Sequence, residues 1–433
     1  MLTKEQNDLL TRVGPGTPGG EMLRRYWTPV ALSSEAPPGG APLPVRLLGE
    51  DLVLFRDERS QLGLLAIHCS HRGADLSYGR LEDGGLRCIY HGWLYDIEGR
   101  CLEQPGEPSN STFHERIKHP AYPCHEIGGV VFAYLGPTPA PLFPSYELFR
   151  VPDDHRWIHK QYHECSYLQG NEGNIDSIHV RFLHRYLPGS RFTRSREFTS
   201  NGRPARPFDE SLPSSAPRCE ETHYGLRIYS LHDAGDATYV RTSNFVIPLT
   251  CAVPGGPAPP GDGHLMNWHV PIDDTHHWRY SMAFKRSGPI DPNYAKARAS
   301  VTDENFRSPR TKANRYLQDR EEQKHDTYAG MGPIFVVQDA YATETAGEIQ
   351  VRTREHLGAS DAGLAAARRL MLRAIKDVQE GRDPPHVIRR PEDQDGLLEI
   401  SVTSQEVPTG TTWDEYRAQR SVTFAAAAAA VDE

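Results

Sequence analysis

Four residues in two short segments have side chains that could together hold an iron–sulfur cluster. Cys69 and His71 are separated by one residue, and Cys88 and His91 by two. Two thiolates on one iron and two imidazoles on the other can hold a [2Fe–2S] cluster, and this mixed ligation raises its reduction potential. The alternative is a zinc-stabilised binding protein. Zinc usually takes two cysteines from one loop and two histidines from another, so the mixed segments here favour the cluster.

A second set of residues has the form D-x-x-H-x-x-x-x-H and contains Asp176, His179 and His184. Two imidazoles and one carboxylate form a facial triad that leaves positions on Fe(II) open. On a regular helix His179 and His184 lie about 140° apart. They can therefore share a metal only if the helix is distorted or ends between them. The alternative is that they are polar residues on an ordinary amphipathic helix.

The cluster residues lie in a region that reads as strands and turns. Apolar runs at 52–55, 64–67 and 129–134 are bounded by turn residues, which predicts a small antiparallel β domain. Thr3 and Gln6 have the spacing of a capping box and predict a short helix before this domain. The proline-rich segment 136–141 predicts a boundary, so residues 1–140 form the first domain.

The second predicted domain covers residues 141–433 and completes an α+β fold. It is expected to contain a larger antiparallel sheet flanked by helices. The predicted strands are 222–229, 238–247, 265–270 and 278–284, and the predicted helices are 167–184, stretches within 288–330, and one following Ser360 and ending before Gly381. The alanine run at 425–430, within a tail from about 422 to 433, is expected to be disordered.

Length, charge and cysteine content restrict the class of protein. The chain has 433 residues, which suits two domains. A net charge of -9 argues against a nucleic-acid partner. No apolar run is long enough to cross a membrane, and residues 1–8 lack an apolar signal core. The seven cysteines are scattered and do not resemble a disulfide framework, so a cytoplasmic location is expected.

These motifs together carry a family resemblance. Segments 68–74 and 88–93 resemble the two ligand loops of Rieske iron–sulfur proteins, and 174–184 resembles the mononuclear iron motif of Rieske non-haem iron oxygenases. In that family a late aspartate is the third iron ligand, and Asp339 is the best match, with Glu344 and Glu348 as alternatives. The surroundings of Asp339 resemble the branch that contains phthalate 4,5-dioxygenase and aromatic O-demethylases.

The resemblance implies the oxygenase (alpha) subunit of a Rieske system. A separate reductase or ferredoxin would pass electrons from NAD(P)H to the [2Fe–2S] cluster at Cys69, His71, Cys88 and His91, and from there to Fe(II) at His179, His184 and Asp339. With O₂, the enzyme would hydroxylate or O-demethylate a carboxylated or methoxylated aromatic, or cis-dihydroxylate it as phthalate-type dioxygenases do. Asp176 would bridge to a cluster histidine of a neighbouring chain in a homotrimer or in stacked trimers.

The sequence is also compatible with a second class of protein, and it leaves the role of three arginines undecided. A Rieske electron carrier without oxygenase activity would have no second iron, but a carrier domain needs only about 100 residues. Arg227, Arg241 and Arg279 lie in strands expected to line the substrate pocket, and a surface or structural role is favoured for each over binding of a substrate carboxylate.

Overall fold

The computed structural model describes residues 1–192, 216–258, 261–394, 400–416 and 418. Its helices and antiparallel sheets confirm the predicted α+β fold. The predicted tail at about 422–433, with its alanine run, lies outside the described residues. In the described part of the chain, no helix is both long and apolar enough to span a membrane.

The first region begins with two short helices and continues as strands. The capping box is present, because Thr3 Oγ1 accepts from the Gln6 N–H and Gln6 Oε1 accepts from the Thr3 N–H. The elements are α1 (Lys4–Thr11), α2 (Pro18–Leu23), β1 (Thr28–Leu32), β2 (Leu43–Leu47), β3 (Glu50–Arg56), β4 (Leu62–Ala66), β5 (Arg80–Glu82), β6 (Gly85–Arg87), β7 (Leu94–Tyr95), β8 (Cys101–Glu103), β9 (Ala121–Tyr122), β10 (Cys124–Ile127) and β11 (Val130–Ala133).

These strands form three small antiparallel sheets. Their orders are β1-β11-β10, β2-β3-β4-β9 and β5-β6-β7-β8. The Cys88–His91 segment joins β6 to β7, and the Cys69–His71 segment follows β4. Both segments contribute to one small core that contains Cys69, Cys88, Trp93 and Tyr95. The two candidate ligand loops are therefore anchored in the same packed unit.

The second region is built on one large sheet. Its elements are β12 (Arg156–His163), α3 (Tyr167–Ile175), β13 (Arg218–Thr222), β14 (Gly225–Asp233), β15 (Ala237–Val246), β16 (Thr250–Val253), β17 (Gly263–Pro271), β18 (His277–Lys285), α4 (Pro292–Ala299), α5 (Arg320–His325), α6 (Phe335–Glu344), α7 (Ala362–Gln379) and β19 (Thr403–Pro408). Among the described residues the sheet order is β12-β18-β17-β16-β15-β14-β13, and β19 pairs with β15. Every pairing is antiparallel.

The large hydrophobic core extends across both predicted domains. Phe132 of β11, for example, packs edge-on against Trp268 of β17 with ring centroids 6.5 Å apart. The two regions therefore share buried surface, and the domain boundary near residue 140 stays a prediction.

A buried ion network fixes α3 against α7. Both Glu172 carboxylate oxygens accept from Arg352, and Glu172 also accepts from Arg368 at 2.6 Å. Arg368 donates in turn to Glu355. Breaking a buried pair of this kind costs about 3–5 kcal/mol, because the remaining charge stays buried without a partner. The network holds the helix that leads to the D-x-x-H motif.

The helix predicted over 167–184 is wrong beyond Ile175. Asp176 adopts an extended conformation (φ -69°, ψ 120°), and its Oδ1 accepts from the Ile178 N–H at 2.7 Å. This short side-chain turn gives the backbone an alternative to the helix. His179 then lies in a single 3₁₀ turn, His179–Arg181. The helix thus ends before both histidines, which removes the 140° separation expected on a regular helix.

Candidate metal centres

The two cysteine–histidine loops have the same backbone hydrogen bonds. The N–H groups of Cys69 and Cys88 each donate to the carbonyl five residues later, at 2.8 and 2.9 Å. The N–H groups of Gly73 and Gly92 donate back to the two cysteine carbonyls at 2.8 and 2.9 Å. Both glycines have positive φ, 74° and 76°, a conformation that glycine adopts without strain. The sequence therefore folds two equivalent loops, each presenting one thiol and one imidazole.

The ligand atoms in these loops fit a [2Fe–2S] cluster. Cys69 and Cys88 are buried and unpaired, and burial, followed by the neighbouring Cys69, raises the pKa of Cys88. The rings of His71 and His91 lie 4.5 Å apart, and Nδ1 of His71 is buried without a hydrogen-bond partner among the described residues. A buried nitrogen without a partner is costly. A bound iron would remove that cost.

Aromatic side chains support this site from both sides. The ring of His71 stacks on Trp93 at 4.6 Å. The hydroxyl of Tyr95 lies 3.2 Å from Sγ of Cys69. Burial raises the pKa of Tyr95, so it keeps its proton and can donate to a thiolate. Hydrogen bonds to the sulfurs are among the features that set the potential of such clusters.

The second set of ligand atoms converges as the sequence suggested. Nε2 of His184 lies 2.9 Å from Oδ1 of Asp339, and Nε2 of His179 lies 3.7 Å from the same oxygen. One ligand atom from each residue can be chosen so that all lie within 4.8 Å of one another. The donor set of two imidazoles and one carboxylate is the set that Fe(II) takes in a facial triad.

Helix α6 holds His184 as well as supplying Asp339. Oε1 of Gln338 lies 2.6 Å from Nδ1 of His184, and the Gln338 amide donates to the carbonyl of Gly332. Nδ1 therefore carries the proton, and Nε2 is left with its lone pair toward Asp339. The ring of Phe335, one helical turn before Asp339, stacks on His184 at 4.0 Å.

Asp176 lies beside His179 on the side away from Asp339. Its Oδ2 is 3.6 Å from Nδ1 of His179, a distance longer than a hydrogen bond. Burial alone would lower the pKa of His179, but Asp176 and then Asp339 raise it. The same contact lowers the pKa of Asp176 against the effect of its burial. Asp176 is therefore placed to orient His179 rather than to join the three converging atoms.

Arg279 of β18 contacts the second oxygen of Asp339. Its Nη1 donates to Oδ2 at 3.2 Å, while Oδ1 faces the two imidazoles. Burial would raise the pKa of Asp339, but His184, Arg279 and His179 hold it well below its usual range. The carboxylate is therefore charged, as a metal ligand must be.

The alternative carboxylates lie elsewhere. Glu344 accepts from Tyr316 at 2.7 Å and lies 3.0 Å from Nδ1 of the buried His163. Glu348 is not part of the converging group.

Sequence reasoning missed Gln338 and Phe335 as partners of His184. Gln338 and Phe335 lie one and four residues before Asp339, and on a helix this spacing would have indicated that they lie near it. No helix is predicted there from the sequence.

Comparison with known proteins identifies the family of the chain. Residues 26–121 match the Rieske [2Fe-2S] domain, and residues 133–433 match the family described as LigXa C-terminal domain like. The chain is 38% identical to the phthalate 4,5-dioxygenase oxygenase subunit of Pseudomonas putida over 88% of each chain. It is 33% identical to the 5,5'-dehydrodivanillate O-demethylase oxygenase subunit of Sphingobium sp., over 96% of this chain and 91% of the relative.

A solved structure shares the fold. The carbazole-bound oxygenase and ferredoxin complex of carbazole 1,9a-dioxygenase superposes with a TM-score of 0.59 at 20% identity, covering 92% of this chain and 98% of the other. The two family matches and the relatives that match most of the chain thus define a Rieske non-haem iron oxygenase. The chain belongs to that family, in the branch of the phthalate 4,5-dioxygenase and aromatic O-demethylase oxygenase subunits, and it is an enzyme. Its cofactors are a Rieske [2Fe–2S] cluster and a mononuclear iron.

Proposed function

We propose that the chain hydroxylates or O-demethylates a carboxylated or methoxylated aromatic compound. Cys69, His71, Cys88 and His91 would hold the cluster, and His179, His184 and Asp339 the mononuclear iron. When bound, these groups supply single electrons and a site at which O₂ can be reduced. The observation that carries the proposal is the convergence of both histidine Nε2 atoms on Oδ1 of Asp339. An electron carrier would have no need of such a site.

Individual side chains have separate tasks in this proposal. Gln338 fixes the tautomer of His184, so the nitrogen facing Asp339 is the unprotonated one. The stacked ring of Phe335 excludes water from one face of that imidazole. Arg279 keeps Asp339 charged, and Asp176 approaches His179 from the outer side. Each interaction limits the motion of a ligand, and partners of this kind raise metal affinity.

Arg241 is the candidate for recognising a carboxylate on the substrate. Arg227 donates to Glu220 and Arg279 to Asp339, whereas the described residues supply no carboxylate partner for Arg241. Arg241 pairs across the sheet with Ser230, whose hydroxyl lies 2.7 Å from Ser177 in the turn before His179. Directly opposed residues share a sheet face. The charge of Arg241 also acts to lower the pKa of His179, which supports this assignment.

Two exposed apolar surfaces support a trimer of this chain. The first, the tip patch, consists of Tyr78, Ile89, Tyr90 and Phe113 around the cluster histidines. The second, the iron-side patch, consists of Phe182, Leu317, Tyr328 and Tyr341 beside the iron site. Large apolar patches indicate interfaces. Head-to-tail contact between two different patches forms a ring when the rotation between copies closes. A homotrimer of this kind, alone or stacked, would bring the cluster of one chain to the iron of the next.

The exposure of Asp176 and its contact with His179 support a bridging role between chains. Its side chain is about one-third exposed and contacts His179 through Oδ2. A cluster histidine of a neighbouring chain could approach it from the solvent side. A reductase or ferredoxin that draws on NAD(P)H would supply the electrons. All seven cysteines are unpaired, which supports the proposed cytoplasmic location.

Turnover with a NAD(P)H-linked reductase on a panel of phthalates and methoxybenzoates tests the proposal. We expect substrate-dependent O₂ uptake, with formaldehyde released if a methoxyl group is removed and a cis-diol if the ring is dihydroxylated. Arg241→Gln should raise KM for carboxylated substrates only. His179→Ala should abolish turnover while leaving the cluster spectrum intact. Turnover that survives in His179→Ala would contradict the assignment of the iron site.

A further inference from the structure

A chain of buried polar side chains begins at Asp339 and crosses the large sheet. Nη1 of Arg279 donates to Oδ2 of Asp339 at 3.2 Å, and Nε of Arg279 faces Oδ1 of Asn267 at 3.4 Å. The hydroxyl of Ser281 donates to the same Asn267 oxygen at 2.8 Å. Arg279 and Asn267 are both more than nine-tenths buried. The guanidinium is therefore held at two points, with one of them the candidate iron ligand.

This series of hydrogen bonds continues from β17 to helix α3 and ends on a backbone carbonyl. The amide of Asn267 donates to Oδ1 of Asn174 at 2.7 Å, and the amide of Asn174 donates to Nε2 of His269 at 2.9 Å. Nδ1 of His269 lies 3.0 Å from Nε2 of His277, and Nδ1 of His277 lies 2.8 Å from the carbonyl of Cys165. Every link joins a donor to an acceptor.

The terminal carbonyl fixes the direction of every hydrogen bond. A carbonyl oxygen only accepts, so Nδ1 of His277 carries its proton and Nε2 is free to accept. Nδ1 of His269 must then donate, which leaves its Nε2 to accept from Asn174. The amides of Asn174 and Asn267 are oriented in turn. No other arrangement of donors and acceptors satisfies all of these buried groups. The side chains that hold Arg279 therefore keep one set of orientations.

Strand register creates this alignment. Asn267 pairs with Ser281 and His269 with Arg279 across β17 and β18. Residues two apart on a strand lie on one face, so these four side chains form one polar face under α3. Asn174 of α3, five residues before His179, is hydrogen-bonded through its side chain to this face. The same surface therefore contacts both the helix leading to His179 and the residue holding Asp339.

We propose that Arg279 is a positioning residue that binds Oδ2 of Asp339 and so presents Oδ1 alone to the mononuclear iron. This inference rests on the proposed iron site. The carboxylate cannot rotate to offer both oxygens to a metal without losing its hydrogen bond to a buried guanidinium. The Asn267–Asn174–His269–His277 chain prevents the guanidinium from following it. One more position on the iron is thereby kept for O₂ or substrate.

Cobalt(II) binding to the mononuclear site tests the proposal without turnover. The protein keeps its cluster, the mononuclear iron is removed, and Co(II) is titrated into wild type, Arg279→Met and Arg279→Lys. Partners of metal ligands are worth about 10–100-fold in affinity, so Arg279→Met should bind Co(II) weaker by that factor. Arg279→Lys keeps the charge but loses the planar guanidinium that can bond to two partners. Its Co(II) affinity should lie between those of wild type and Arg279→Met. The matched control is Arg227→Met, which removes a strand arginine that is paired with Glu220 instead.

A spectroscopic readout separates positioning from general stability. With Fe(II) at the site, the electron paramagnetic resonance spectrum of the nitric oxide adduct reports the symmetry of the ligands. Its rhombicity should change in Arg279→Met and stay unchanged in Arg227→Met. Unchanged Co(II) affinity together with an unchanged spectrum in Arg279→Met overturns the proposal while the iron site stands. A wild type that binds no metal beyond the cluster overturns the proposed function, and this inference with it.

A milder variant covers the case in which Arg279→Met does not fold. Asn267→Ser removes the group that orients Arg279 and leaves the buried charge in place. Weaker Co(II) binding with a normal cluster spectrum supports the proposal. Wild-type affinity in Asn267→Ser, with wild-type affinity also in Arg279→Lys, contradicts it.

Discussion

Gly170 lies where helix α3 crosses His269, and replacing it by alanine should disturb the iron site specifically. A Cβ atom at position 170 would come closest to Nδ1 of His269, and would lie 2.6 Å from Cε1 and 2.8 Å from Cγ of the same ring. His269 cannot turn aside, because Asn174 and His277 hold its two ring nitrogens. In Gly170→Ala the helix, rather than the histidine, therefore has to move.

The size of this movement follows from the distances. Bringing Cε1 from 2.6 Å to the 3.4 Å at which ordinary van der Waals contact begins already needs a shift of about 0.8 Å, and the closer contact with Nδ1 of His269 needs a larger one. Overpacking of this kind costs about 1–3 kcal/mol, against about 1 kcal/mol gained from the better helix propensity of alanine. Because α3 leads directly into Asp176 and His179, the shift misplaces a ligand. A misplacement of about 1 Å can cost about 100-fold in rate.

Gly173→Ala is the matched control on the same helix. Its Cβ would meet only Cγ2 of Thr343, at the ordinary distance of 3.5 Å. We expect Gly173→Ala to keep activity and to gain up to about 1 kcal/mol of stability. Gly170→Ala should lose mononuclear iron and activity while the cluster absorbance persists. Equal iron content and equal melting temperature in the two variants would refute the packing argument.

Two further predictions follow from single buried groups. The Tyr95 hydroxyl lies 3.2 Å from Sγ of Cys69, and a hydrogen bond there stabilises the more negative, reduced form of the cluster. If this bond contributes about 1 kcal/mol, voltammetry of Tyr95→Phe should show a reduction potential lower by about 40 mV. An unchanged potential would show that the contact is not a hydrogen bond to the thiolate. Burial lowers the pKa of His264 to about 3, so unfolding takes up a proton below the unfolded value of about 6.5, and stability is lost as the pH falls. His264→Leu should therefore lose about 1 kcal/mol less stability than wild type between pH 7.5 and 5.5, measured by thermal melts. Identical pH profiles would contradict the burial argument.

The sequence was sufficient to propose the candidate ligand residues of the two motifs, because their spacing is local. Cys69, His71, Cys88 and His91 lie within one short stretch, and His179 and His184 within another. Four strands of the large sheet, β14, β15, β17 and β18, were also predicted, because alternation and turn residues mark them, whereas β12, β13, β16 and β19 were not. Their observed ends differ by a few residues, as for β14 at Gly225–Asp233 against the predicted 222–229.

What the sequence could not supply depends on tertiary register. The end of α3 at Ile175 depends on a side-chain turn at Asp176 that hydrophobic periodicity does not report. Arg279 reads as one strand arginine among several until β17 and β18 are paired. Asp339 could be chosen over Glu344 only by resemblance, since the contacts that separate them come from residues more than a hundred positions away.

Metal analysis is the most direct test of the central claim, that His179, His184 and Asp339 hold an iron in addition to the cluster. Purified wild type should contain about three irons and two acid-labile sulfides per chain. The iron content of Asp339→Ala should fall to about two per chain with both sulfides retained. Folded Glu344→Ala should keep the third iron. Two irons per wild-type chain, or loss of the third iron in Glu344→Ala with retention in Asp339→Ala, would contradict the account.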